Sequence, residues 1–355
     1  MSEVPFAYWA GVSFVFGAIV GSFLNVVIWR LPRRESLLHP GSHCPHCNRA
    51  LAAYENVPLF SYLALRGRCR TCRASISWRY FAVELLTATV FLVIYLKFGP
   101  HVETVAYCLF AAALIAAFFT DLATFLIPDE LNTFALLVGV GLDVWGIAAH
   151  APGHALIWGW LPRSIGGAVI CAGVFVFIQI IGFLLFRKNA MGDGDVKLAR
   201  AIGAMLPLSQ AFVSFFLAIA VGAVLGVATI VFQSMSERKA AAAAVGDNTA
   251  SDADIEEADL EEVSIPELLF FGVIYLTFFD LLLQLGRWAR IKPLERLANT
   301  IDPTDGLEEE DPFVPAPRQI PFGPYMVLGA FLAVFIGDRI VDWYLVFAHI
   351  RPPAG

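Results

Sequence analysis

Charge is what this chain lacks most. Only 15% of its 355 residues are charged, against roughly a quarter in an ordinary soluble domain. Residues 7–29, 164–186 and 208–233 carry no charged side chain at all. With 58% hydrophobic residues and a mean hydropathy of +0.69, that shortage excludes a water-soluble globular chain. Other absences narrow the chemistry. There is no HExxH pair, no Ser/His/Asp arrangement in a competing position and no glycine-rich phosphate loop ending in lysine. Zincin, serine-hydrolase and P-loop mechanisms are therefore not expected. The first apolar run has no basic leader and no small-residue cleavage site, and it is too long for a removable signal peptide. No nucleic-acid partner is expected.

What is present is a series of apolar runs of about 20 residues, the length that crosses a hydrocarbon core as a helix. Besides the three uncharged runs, 80–98, 104–120, 131–150, 266–286 and 321–348 qualify, and 196–207 is a short further candidate. The expected fold is an all-α polytopic membrane protein of seven or eight transmembrane helices with a small cytoplasmic loop domain. The parts are a first helix (1–29), a polar loop (30–79), a membrane core (80–233), an inserted segment (234–318) and a last helix with its tail (319–355). The net charge of −7 is local: residues 236–263 hold nine acids and two bases. That small-residue stretch without aromatics reads as a disordered spacer.

The loop 30–79 has nine arginines against two glutamates, so the positive-inside rule keeps it in the cytoplasm. Counting spans from there places Asp121 at the cytoplasmic end of the third. The strip "MGDGDVK" (191–197) follows the fifth and returns to the same face. In the loop, Cys44 and Cys47 form one CxxC pair, and Cys69 and Cys72 a second, 21 residues on. Two such knuckles close a tetrahedral zinc site, and four thiolates leave no open position, so the metal is structural. His43 and His46 are expected as spectators. Cys108 and Cys171 lie in apolar runs and read as small hydrophobes.

Carboxylates at membrane depth are functional candidates. Asp129 follows Pro128 and opens a helical run, the place of an N-cap. Asp193 and Asp195 could also cap the helix that follows them. Capping does not explain Gly192 and Gly194, which permit close approach of another backbone. Two aspartates in a partly dry site share one proton. The ionised member activates water while the protonated one polarises a carbonyl. Composition and topology thus point to a membrane-embedded hydrolase with a carboxylate pair.

The ordered blocks "GSFLNVVIWRLP" (21–32), "CPHC" (44–47), "ENVPLFSYLALRGRCRTC" (55–72), "WRYFAVELLTA" (78–88), "DLATFLIPDELN" (121–132), "MGDGDVKLARAIGAML" (191–206) and "IPFGPYMVLGA" (320–330) resemble bacterial type IV prepilin peptidases. These are GxGD membrane aspartic peptidases. The resemblance implies cleavage of leader peptides from prepilins or secretion pseudopilins at the cytoplasmic face of the bacterial inner membrane. It implies Asp121 and Asp195 as the catalytic pair, with Gly192, Gly194 and Lys197 positioning motif or substrate. It also associates Cys44, Cys47, Cys69 and Cys72 with the bifunctional form, which N-methylates the new terminus using S-adenosylmethionine, whose binding residues stay unassigned. Segment 234–318 exceeds the family pattern. Two other readings compete: a cation-binding transport protein that gathers Asp121, Asp129 and Asp195, and a catalytically inactive, zinc-stabilised pilus-assembly scaffold. No oligomeric state follows from the sequence.

Overall fold

The structure, a computed structural model, describes residues 6–151, 154, 156–157, 161–186, 191–244, 265–289, 291–294, 297, 321–348 and 350. The membrane-scale elements are α1 (Phe6–Arg30), α3 (Trp78–Phe98), α4 (Val102–Thr124), α5 (Asp129–Ala148), α6 (Arg163–Phe186), α8 (Leu208–Ala244) and α11 (Gly323–Phe347). These supply the seven helices, among the described residues, that are long and apolar enough to cross a membrane. Shorter pieces are α2 (Phe60–Ala64), α7 (Asp193–Met205), α9 (Ile265–Leu276) and α10 (Phe279–Trp288). Two residues each of β1 (Leu156–Ile157) and β2 (Leu161–Pro162) form an antiparallel hairpin.

The eighth apolar run, 266–286, is not one helix. It breaks between α9 and α10 at Thr277–Phe278, where Phe278 is left-handed with φ 59°. Neither fragment reaches spanning length. The short run 196–207 falls in α7, whose 13 residues extend about 20 Å at 1.5 Å each, too little for a crossing. The acidic spacer also begins differently from its expectation. Helix α8 continues to Ala244 through a run of alanines, the strongest helix formers. Residues 245–263 and the second acidic patch, 305–313, lie outside the described residues.

The chain divides into two compact units: Met1–Ala168 with Arg200–Pro207, and Val169–Ala199 with Leu208–Gly355. In the first, α1 and α3 close like a zipper. A Cβ on Gly17 would stand 2.8 Å from the Ala88 Cα, and one on Gly21 2.8 Å from the Glu84 Cα. Without side chains there, the backbones touch, which is how small residues drive helix association in lipid. One turn beyond each glycine a hydrogen bond crosses the seam: Ser13 Oγ to the Phe91 carbonyl (3.1 Å) and Asn25 Nδ2 to the Tyr80 carbonyl (3.1 Å). Helix α4 is the most enclosed span, with Ala111, Ala112, Ala113, Ala116 and Ala117 buried. At the far end of α5, Asp143 accepts from His154 Nδ1 (2.9 Å) and from the Ser164 N–H (2.7 Å). That pair of bonds fastens the end of α5 to the start of α6.

In the second unit α8 and α11 lie against each other. A Cβ on Gly222 would stand 3.2 Å from the Tyr325 ring, and Gln210 Nε2 donates to Asp338 Oδ1 at 2.5 Å. Large apolar side chains such as Phe177, Phe216 and Val224 stay exposed on the spans, as lipid-facing surfaces require.

Candidate active site and metal centre

The loop between α1 and α3 is built from two copies of one turn. Cys44 N–H donates to the Arg49 carbonyl and Asn48 N–H to that of Cys44; Cys69 N–H donates to the Ala74 carbonyl and Arg73 N–H to that of Cys69. Asn48 (φ 52°) and Arg73 (φ 61°) take the left-handed conformation that closes each knuckle. Single antiparallel bridges, His43 with Ala50 and Arg68 with Ser75, brace them. The four sulfurs lie within 4.8 Å of one another, and the Cys44 and Cys72 sulfurs are 3.8 Å apart. A tetrahedron with metal–sulfur bonds of about 2.3 Å has edges of about 3.8 Å. The cluster therefore fits zinc by its donor set and by its size. His43 turns Nδ1 to the Gly41 carbonyl (3.0 Å) and stands outside the ligand set.

The surroundings shift the two thiols of the second knuckle in opposite directions. Backbone N–H groups of Cys72 and Thr71 pull the Cys69 thiol down to about 6. At Cys72 the Ala74 N–H also pulls downward, but burial and the neighbouring sulfurs outweigh it and push the thiol up to about 11. Arg49 grips both oxygens of Glu55 (2.8 and 2.9 Å), and the Ala52 N–H adds a third bond. The Arg49 hydrogen bonds, seconded by that N–H, hold the Glu55 carboxyl below its ordinary value. The loop is moored to the membrane helix by the Leu59 N–H, which donates to Glu84 Oε2 at 2.7 Å. A cavity of about 340 Å³ opens beside the knuckles, lined by Tyr54, Glu55, Phe60, Ser61, Arg70 and neighbours.

The carboxylates sit at helix ends. Asp121 is buried, 5% exposed, in the last turn of α4. That helix stops when Phe125 turns left-handed and its N–H closes on the Asp121 carbonyl at 2.8 Å. Pro128, not Asp129, takes the cap position of α5. Asp129 is its first helical residue, where a negative charge complements the helix dipole. Asp193 and Asp195 both lie in the first turn of α7 and are half-buried. The Asp195 N–H bonds to the Gly192 carbonyl at 3.1 Å. A Cβ on Gly192 would sit 3.8 Å from Asp195 Oδ2, an ordinary contact distance, and Gly192 itself is exposed. Asp121 belongs to the first unit and Asp195 to the second.

Sequence reading missed Gln179. It lies inside α6, 2% exposed, and donates from Nε2 to the Met191 carbonyl (3.2 Å) and to Asp193 Oδ1 (3.1 Å). A lone amide in an uncharged span was the available signal, since polar groups at that depth are costly without a partner.

The chain matches the family description "Bacterial Peptidase A24 N-terminal domain" over residues 15–98 and "Type IV leader peptidase family" over 108–227. The first match contains both cysteine knuckles; the second contains Asp121 and Asp195. A prepilin leader peptidase/N-methyltransferase of Myxococcus xanthus is 32% identical over 324 residues, covering 91% of this chain and 89% of its own. One from Aeromonas hydrophila is 38% identical, covering 66% and 86%. One from Bacillus subtilis is 31% identical, covering 64% and 86%. No solved structure matches the chain. The sites describe a multi-pass helical membrane protein with paired cysteine knuckles and carboxylates at helix ends. It belongs to the type IV prepilin leader peptidase family.

Proposed function

We propose that this protein is a membrane aspartic endopeptidase that removes leader peptides from type IV prepilins or related pseudopilins and N-methylates the exposed terminus. The similarity to the Myxococcus xanthus relative carries the reading, because it runs along nearly the whole of both chains and that relative's name joins both activities. Asp121 and Asp195 form the catalytic pair. One carboxylate takes a proton from water while the other, protonated, donates a hydrogen bond to the scissile carbonyl. The tetrahedral intermediate collapses as the amine leaves with a proton from the dyad. Gly192, exposed and without a side chain, would let an extended substrate backbone approach Asp195. Lys197 adds a positive charge next to the motif, for orienting the carboxylates or the substrate. The arginine-rich loop faces the cytoplasm of a bacterial inner membrane, and the pair works at that face, where a basic leader meets an apolar helix.

Cys44, Cys47, Cys69 and Cys72 would hold a zinc ion, which would brace the loop in a structural rather than catalytic role. S-adenosylmethionine supplies an electrophilic methyl group when bound. The cavity beside the knuckles fits it chemically: the Tyr54 and Phe60 rings suit an adenine base, and the Arg70 guanidinium suits a carboxylate. These residues would hold it.

The test is purified protein in detergent with a prepilin and S-adenosylmethionine. Mass spectrometry should find a shortened product, and then one heavier by a methyl group. Full cleavage by both Asp121→Asn and Asp195→Asn would end the dyad assignment. An unprocessed substrate with the parent protein would end the reading as a whole.

A further inference from the structure

Helix α9 lies in the segment 234–318 that the sequence sets apart from the membrane core, yet in the second unit it packs on the helix that carries the motif strip. A Cβ on Gly272 would stand 2.8 Å from Val176 Cγ1, and one on Gly173 3.7 Å from Leu276 Cδ2. Val176 and Gly173 belong to α6, and one turn further along the same face is Gln179, which holds Met191 and Asp193. Residues 173, 176 and 179 repeat at helical spacing, so one face of α6 seats α9 and then the strip. Tyr275, on that seated stretch of α9, is 5% exposed. Its ring centre lies 5.1 Å from Lys197 Nζ. Lys197 is two residues beyond Asp195 on α7.

We infer that Tyr275 is a positioning residue for Lys197, and that α9 is a wall of the peptidase site rather than an appendage to it. The inference rests on the peptidase reading above. A cation over an aromatic face is attracted by the ring quadrupole, and the attraction grows where water is excluded. An aliphatic side chain of similar bulk would fill the space without that attraction. Lysine has four rotatable carbons in its stem, and an ammonium that must stay beside a carboxylate motif needs such a fixture. Gly272, three residues before Tyr275 on a neighbouring face of α9, leaves room for Val176 of α6, whose Cγ1 a Cβ there would meet at 2.8 Å.

The experiment is a double-mutant cycle on the full-length protein in detergent, with prepilin cleavage as the readout. Tyr275→Phe keeps the ring and should cleave within about twofold of the parent. Tyr275→Leu should lower kcat about tenfold with little change in KM, the scale of one partly buried cation–π contact. Lys197→Ala should lose at least as much. Tyr275→Leu combined with Lys197→Ala should be no worse than Lys197→Ala alone, because both remove the same interaction. Additive losses, or a Tyr275→Phe as impaired as Tyr275→Leu, would overturn the inference. An Asp195→Asn control separates the two levels. If it is inactive while Tyr275→Leu is unimpaired, only this inference falls; if it cleaves normally, the peptidase assignment falls first.

Discussion

Gln179 donates to Asp193 Oδ1 across 3.1 Å and to the Met191 carbonyl across 3.2 Å. One buried amide thus spends both N–H groups on the strip that precedes Asp195. The bond engages Asp193, two residues before Asp195, in holding the strip.

Asp193 and Asp195 should therefore part company under mutation. Asp193→Asn keeps an oxygen for Gln179 and is expected to cleave prepilin at near-parental rate. Asp195→Asn removes an acid–base group, and general acid–base catalysis is worth about 10²–10⁴-fold. Gln179→Leu should sit between them. Parallel kcat measurements decide it, and equal loss at Asp193 and Asp195 would contradict the assignment.

Asp121 and Asp195 are proposed to act as one pair. A variant with cysteines at these two positions, and serine at Cys108 and Cys171, should cross-link with a short bifunctional thiol reagent while zinc protects the loop. The product is a faster-migrating band lost on reduction of a cleavable linker. No cross-link with reagents up to about 10 Å would count against the pair.

The loop should carry one zinc per chain by elemental analysis. Cys72→Ser or chelation removes it, and trypsin should then cut at Arg66, Arg68, Arg70 and Arg73 within minutes, because metal binding supplies folding free energy to a loop of little core. Unchanged tryptic resistance without metal would show that the loop folds on its own packing.

Tyr54 and Arg70 provide a test of the methyl-donor cavity. Tyr54→Ala and Arg70→Ala should weaken S-adenosylmethionine binding by calorimetry and leave leader cleavage intact.

The α1–α3 seam should resist any larger residue. Gly17→Leu puts a side chain where the Ala88 and Phe91 backbone and Cβ atoms already stand within 3 Å. Overpacking of this kind costs about 1–3 kcal/mol, visible as a lowered unfolding temperature in detergent.

Local chemistry alone determined much of this protein. Uncharged runs of spanning length, the CxxC spacing and the glycines beside Asp195 are properties of neighbouring residues, and each was legible without a fold. The interruption at Phe278 was not, because an apolar run reads the same whether or not one residue turns left-handed. Nor was the partition between Asp193 and Asp195: both are acids in one helical turn, and only the arrival of Gln179 from another helix tells them apart. Tyr275 is the clearest case. Some 78 positions separate it from Lys197, and nothing along the chain couples them. Which helix faces meet is decided by the packing of many distant side chains at once, and it is that packing, through Gly173, Val176 and Gly272, that brings the ring to the ammonium.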